Sequence, residues 1–264
     1  MESRIDMTSN DKAIGNPRPS VWSPPAPQLI KDARMIIIGY RADIDAIQEV
    51  LPPGLEAHPN GLVQMNMYEV AADQTSGFGA FSLTYLSVEV ANHDSYAAEG
   101  AMPIPGRYFA YYWNSSARVC AYVRESIGVR AMPGERRTET REGKLHSILN
   151  LDGNDVIRVT ASTSEESGGT LGGHLHYYSH REFLAPQGGT PALSELLEFP
   201  LPFIARLYSA EIDEIVFDFP DGHPAARLAP LTPLETPSVM HADVTFTYSM
   251  GRRLKDYLPT PHEA

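Results

Sequence analysis

The chain is 264 residues long with 42% hydrophobic residues, enough to bury one sizeable core. Lys and Arg number 21 against 33 Asp and Glu, a net charge of −12, and a surface this acidic repels nucleic acid and anionic membranes. No apolar run approaches the ~18–20 residues of a membrane span, and the single Cys120 excludes an internal disulfide and fits a reducing, cytoplasmic setting.

Residues 1–28 are polar and carry Pro17, Pro19, Pro24, Pro25 and Pro27. They lack a charged-then-apolar leader pattern, so a flexible arm is expected there, with a single domain over residues 29–264. Arg34–Gly39 reads as a short strand. Asp43 can cap a helix through Ile44, Ile47, Val50 and Leu51, one helical face, which Pro52-Pro53-Gly54 stops. Leu62–Val70 alternates, with Val63, Met65, Met67 and, by extension, Glu69 on one face. Gly77–Val90, Arg107–Trp113, Arg118–Val123, Leu145–Leu151, Asp155–Thr163, Gly173–Phe183, Glu211–Phe219 and Val239–Met250 also read as strands. Ala192–Leu197 and Arg252–Leu258 read as short helices, and Pro200–Tyr208 as a segment started by proline. Turn signals such as Pro59-Asn60-Gly61 and Asp152-Gly153-Asn154 separate these elements. Many antiparallel strands and few short helices predict a mainly antiparallel β fold of the α+β kind, a barrel or sandwich with helical decoration.

The order of several weak motifs is informative together. Tyr40–Ile47 followed by Val50-Leu51-Pro52-Pro53-Gly54-Leu55-Glu56, then Thr75–Gly79, then Gly106–Tyr112, lead to Arg124-Glu125-Ser126-Ile127-Gly128-Val129-Arg130-Ala131-Met132. This series resembles the acetoacetate decarboxylase family from about Arg34 to Leu258. The resemblance implies a cone-shaped antiparallel β-barrel with an outer sheet and peripheral helices, an apolar pocket and a homo-oligomer. It also implies a Schiff-base lysine and a second lysine that lowers its pKa. Their positions here read Ala131 and Met132. The family's second-strand carboxylate corresponds to Tyr68 or Glu69, its third-strand glutamate to Leu83, and its early arginine falls near Ala33 and Arg34. A lysine nucleophile must be desolvated or sit beside another cation to be neutral at pH 7. Only Lys12, Lys31, Lys144 and Lys255 are present, and Lys144, in a turn beside Glu142, is expected to be solvated.

The candidate catalytic residues are therefore Arg124, Glu125, Arg130, Glu69 and Tyr108. Arg124 would bind a carboxylate or carbonyl and Glu125 would act as acid or base; the same pair could instead brace the loop. Arg130 can supply positive charge but not a proton shuttle. Tyr68, Leu83, Tyr85, Tyr112, Ala131, Met132 and His176 are the candidate substrate contacts, with the tyrosines equally suited to a core. The expected partner is a small molecule bearing a carbonyl or carboxylate. The chemistry would be of lyase, dehydratase or related acid–base type, with no cofactor and no metal. A non-catalytic binding protein in the same barrel is the alternative. A third reading comes from Gly172-Gly173-His174-Leu175-His176 with His180 and Glu182, which share one strand parity and are similar to the cupin metal motif.

Overall fold

The computed structural model describes residues 27–97, 99, 103–185, 189, 191–248 and 251–258; the expected arm lies outside them apart from Pro27 and Gln28. The strands are β1 (Gln28–Arg41), β2 (Leu62–Val70), β3 (Phe81–Asp94), β4 (Pro105–Asn114), β5 (Ala131–Pro133), β6 (Glu135–Arg141), β7 (Lys144–Leu151), β8 (Asn154–Leu184), β9 (Pro191–Phe217), β10 (Ser238–Tyr248) and β11 (Arg252–Asp256). Helix α1 (Ile44–Val50) is capped as expected by Asp43, whose carboxylate accepts from the Asp45 and Ala46 backbone N–H groups. Helix α2 (Ala117–Tyr122) runs into one wide π turn (Val123–Ile127), and 3-10 turns occupy Ala72–Gln74 and Pro224–Leu231. No helix among the described residues is long and apolar enough to cross a membrane.

Neighbouring strands close a ring in the order β9, β10, β1, β2, β3, β4, β8 and back to β9. The seam is the short parallel contact of Arg107 and Tyr108 on β4 with Tyr177 and Tyr178 on β8. Strands β6 and β7 extend the first half of β8 as an outer sheet. Because the ring is covered outside as well as filled inside, its strands bury both faces. Ile36, Ile38, Met65, Met67, Leu86 and Val88 belong to the outer core, whereas Met35, Tyr68, Leu83, Tyr112 and Tyr177 belong to the inner one.

Four local expectations are corrected. Arg118–Val123 is helical: the Ser116 hydroxyl accepts from Val119 N–H at 3.3 Å, and Val119, Cys120 and Tyr122 are buried against the barrel, so capping and tertiary burial override a β-prone run. Ala192–Leu197 is the start of β9, because Leu196 and Leu197 bury into the two different cores. Most of Arg252–Leu258 is the edge strand β11 pairing with Glu195–Glu198. The four pieces read around Gly168–Gly173 and Pro200–Tyr208 join into one long hairpin, with register shifts near Ser167 and Gly169 (φ 107°) absorbing the glycines.

The stretch after α2 closes one wall of the barrel. It is held by β8 rather than by its own regularity. The Ser179 hydroxyl donates to the Ile127 carbonyl, and the Arg181 guanidinium donates to the Glu125 and Ser126 carbonyls at 3.4 Å each. Arg181 is itself fixed by the buried Glu195 across the strand pair, Nε to Oε1 at 2.6 Å. Gly128 (φ 77°) bonds back to the Val123 carbonyl and lies on the Arg181 backbone, where an added Cβ would stand 2.5–2.8 Å from three Arg181 atoms.

Two outcomes follow from these contacts. Gly128→Ala combines a left-handed φ with a backbone clash and is expected to lower unfolding stability by about 2–3 kcal/mol in urea titration. On β10, His241 is 3% exposed and neither ring nitrogen has a partner; burial, with Arg34 nearby, holds its pKa below the ordinary imidazole value. Below about pH 6.5 the unfolded chain binds a proton at this site that the folded chain refuses, so stability falls as pH drops from 7 to 5. His241→Met should flatten that fall by up to about 1.4 kcal/mol per pH unit, measured by denaturant melts at both ends of the range.

Candidate functional site

The inner faces of the ring enclose a cavity with two chambers. The first, about 630 Å³ counting its mouth, is lined by Tyr68, Phe78, Phe81, Leu83, Tyr85, Phe109, Tyr112, Val119, Val123, Ile127, Val129, Tyr177 and neighbouring apolar side chains. The second, about 770 Å³ on the same measure, shares Tyr85, Tyr177, Leu201 and Phe246 with it and adds Gln64, Asn66 and Arg107. Strand alternation explains the set: Gln64, Asn66 and Tyr68 share one face of β2, and Leu83 and Tyr85 share one face of β3.

Four rings form the junction between the chambers. Phe109 stacks on Tyr177 with centroids 4.5 Å apart, Tyr85 lies parallel to Tyr112 at 6.1 Å, and Tyr85 meets Phe109 edge-on at 5.5 Å. The Tyr85 and Tyr177 hydroxyls are 3.2 Å apart. Burial pushes the phenols of Tyr85, Tyr68 and Tyr112 well above their ordinary value. They are neutral at physiological pH and available as hydrogen-bond donors.

A file of hydrogen bonds leads to this junction. Arg107 Nη1 donates to the Gln64 carbonyl oxygen, Gln64 Nε2 donates to Asn66 Oδ1 at 3.0 Å, and Asn66 stands directly across the strand pair from Tyr85. Each donor polarises the next in such a chain. Behind Arg107, Glu89 stands 3.8 Å away and is reached by Asn60 at 3.3 Å.

Of the residues singled out in the sequence, Tyr68, Leu83, Tyr85 and Tyr112 come together on the first chamber. Ala131 is 2% exposed and pairs with Tyr112 in the adjoining parallel contact. Met132 lines a separate groove with Tyr111 and Trp113. Glu69 points outward and pairs with Arg136 at 3.5 Å, since the one-residue ambiguity places Tyr68 inside. Tyr108 faces the outer core, where burial raises its pKa to about 12. Arg124 and Arg130 are exposed, and Arg124 donates to the Ala131 carbonyl at 3.2 Å. Glu125 is partly buried with its Oε2 unpaired, outside the cavity lining.

The histidines also face away, because their neighbours Leu175 and Tyr177 take the inner positions on β8. His176 Nδ1 lies 3.0 Å from Glu198, which Arg252 also grips; His180 bonds Ser194; His174 and Glu182 are exposed. Among the described residues no three His, Cys, Asp or Glu side chains converge as metal ligands. Sequence reasoning missed Gln64, Asn66, Phe109 and Arg107. Its available signal was the parity they share with Tyr68 and Tyr85 across paired strands.

The family model described as Acetoacetate decarboxylase (ADC) matches residues 15–258. The fold is similar to that of an acetoacetate decarboxylase from Legionella pneumophila subsp. pneumophila str. Philadelphia 1 (TM-score 0.71, 18% identity, 98% of this chain and 99% of that one). It is also similar to an acetoacetate decarboxylase-like enzyme from Sphingomonas wittichii RW1 (0.64, 17%, 90% and 99%). A third similar structure is the enduracididine biosynthesis enzyme MppR complexed with pyruvate (0.62, 16%, 90% and 93%). No curated protein matches the chain. With the match running over nearly its whole length, the chain belongs to the acetoacetate decarboxylase family.

Proposed function

We propose that this protein is an acetoacetate-decarboxylase-like enzyme that acts on a small carbonyl- or carboxylate-bearing molecule with an apolar body, by acid–base chemistry that needs no Schiff-base lysine. The observation that carries the reading is the Tyr85–Tyr177 hydroxyl pair at the junction of an otherwise apolar cavity. The two hydroxyl oxygens share one proton between them, which leaves the other proton of the phenol pair free for a ligand. A carbonyl oxygen placed there accepts that proton's hydrogen bond, and charge developing on it is stabilised in mostly apolar surroundings. The described lysines give no rival nucleophile: Lys31, Lys144 and Lys255 are exposed, and Lys144 pairs with Asp213 at 3.3 Å. The pyruvate complex of MppR supports the ligand class.

A second reading, a carrier that binds such a molecule without turnover, is favoured by the absence, among the described residues, of any charged side chain from the lining of the first chamber. The two readings separate on a panel of keto acids, enones and lactones. The enzyme reading predicts turnover of at least one member, reduced about 10²–10³-fold in kcat by Tyr85→Phe, the size expected for one oxyanion donor. Retention of ligand with no turnover anywhere on the panel contradicts it. Borohydride treatment with acetoacetate should leave the intact mass unchanged; a trapped adduct at any lysine would overturn the lysine-free mechanism.

A further inference from the structure

Among the described residues Arg107 is the one charged side chain lining either chamber of the cavity, and its bonding is incomplete. The residue is 8% exposed. Nη1 is committed to Gln64, Nη2 has only the long 3.8 Å approach to Glu89, and Nε is buried with no hydrogen-bond partner. Burying a guanidinium with an unmet N–H is costly, and native proteins seldom leave one so. The contrast with Arg181 is instructive: there Nε and Nη2 both close on one carboxylate oxygen of Glu195. The corresponding Nε–Nη2 edge of Arg107 is met only by the long approach of Glu89: Oε1 stays 3.8 Å from Nη2, Oε2 is held by Asn60 at 3.3 Å and His58 at 3.8 Å, and Glu89 is absent from both chamber linings.

We infer that Arg107 anchors the carboxylate of the substrate through its Nε–Nη2 edge, and that the substrate is an amphipathic monocarboxylic acid. Its head lies against Arg107 in the second chamber and its apolar body reaches past Tyr85 and Tyr177 into the first. The inference rests on the proposed function and deepens it by naming the substrate class for the same cavity. A guanidinium edge matches a carboxylate with two parallel N–H···O bonds, which an ammonium cannot reproduce. Apart from Gln64, Asn66 and the tyrosine hydroxyls the remaining lining is apolar, so affinity grows with the length of the body, while the head supplies orientation. A ligand held this way threads the ring of aromatics and passes the tyrosine hydroxyls on its way from head to tail.

The test uses the whole chain with decanoate and 1-decanol as matched probes in calorimetric or fluorescence titration near neutral pH. Wild type is expected to prefer the acid over the alcohol by about ten-fold or more, the scale of one charge-assisted pair. Arg107→Met should abolish the preference while retaining the alcohol's affinity; Arg107→Lys should keep a reduced preference, because charge remains and the fork is lost. If Arg107→Met is too unstable to titrate, Arg107→Met/Glu89→Gln removes the charge left behind, and the same outcome is expected. Equal affinity of wild type for acid and alcohol, or an acid preference that survives Arg107→Met in a folded protein, overturns the anchor. These readouts are independent of turnover. Loss of activity in Tyr85→Phe with an unchanged acid preference in Arg107→Met rejects the anchor but leaves the enzyme; an intact anchor with no turnover rejects the enzyme alone.

Discussion

Closure of the ring leaves each strand a single choice of inner face, and the site follows from that choice. Arg107 and Tyr108 on β4 must meet Tyr177 and Tyr178 on β8 for the seam to form. Alternation then fixes Arg107 and Tyr177 inside and Tyr108 and Tyr178 in the outer core. A slip of one residue at this seam would exchange a cationic, hydroxyl-bearing wall for an outer one. Gly106, beside the seam, has no room for a side chain against the His93 carbonyl and the Tyr178 ring, so the register is sterically defended as well as hydrogen-bonded.

The same constraint separates what is legible in the sequence from what is not. Tyr68, Leu83, Tyr85 and Tyr112 can be read as pocket residues because the family motifs set the register of β2, β3 and β4. Glu69 and Tyr108 differ from true inner positions by one residue, an ambiguity that only strand pairing resolves. Arg124 and Arg130 have the charge expected of pocket cations, but their segment is a π turn and its exit, braced by Arg181 and Ser179, and its cavity-facing members are Val123, Ile127 and Val129. That bracing joins residues more than fifty positions apart, and no local pattern announces it. The long β8–β9 hairpin is similarly hidden, because its glycines read as breaks and act as bulges.

The chemistry of the cavity is consistent across positions rather than altered at one. Where the family resemblance implies lysines the chain has Ala131 and Met132, and where it implies carboxylates it has Tyr68 or Glu69, of which Tyr68 faces the cavity, and Leu83. An apolar chamber is hostile to an unpaired lysine or glutamate, and among the described residues no charged side chain lines the first chamber. The polar side chains gather in the other chamber, where Arg107, Gln64 and Asn66 form a hydrogen-bonded file beside the phenol pair. The Tyr85 phenol, kept protonated by burial, is a donor that costs no reorganisation when charge develops beside it.

A crystal structure of the protein soaked with a medium-chain 3-oxo acid tests this account most directly. The account predicts a non-covalent ligand inside the ring, its keto oxygen about 2.7–3.1 Å from the Tyr85 or Tyr177 hydroxyl. A ligand bonded to a lysine, or seated outside the ring against Arg124, Glu125 and Arg130 with the inner cavity empty, would contradict it.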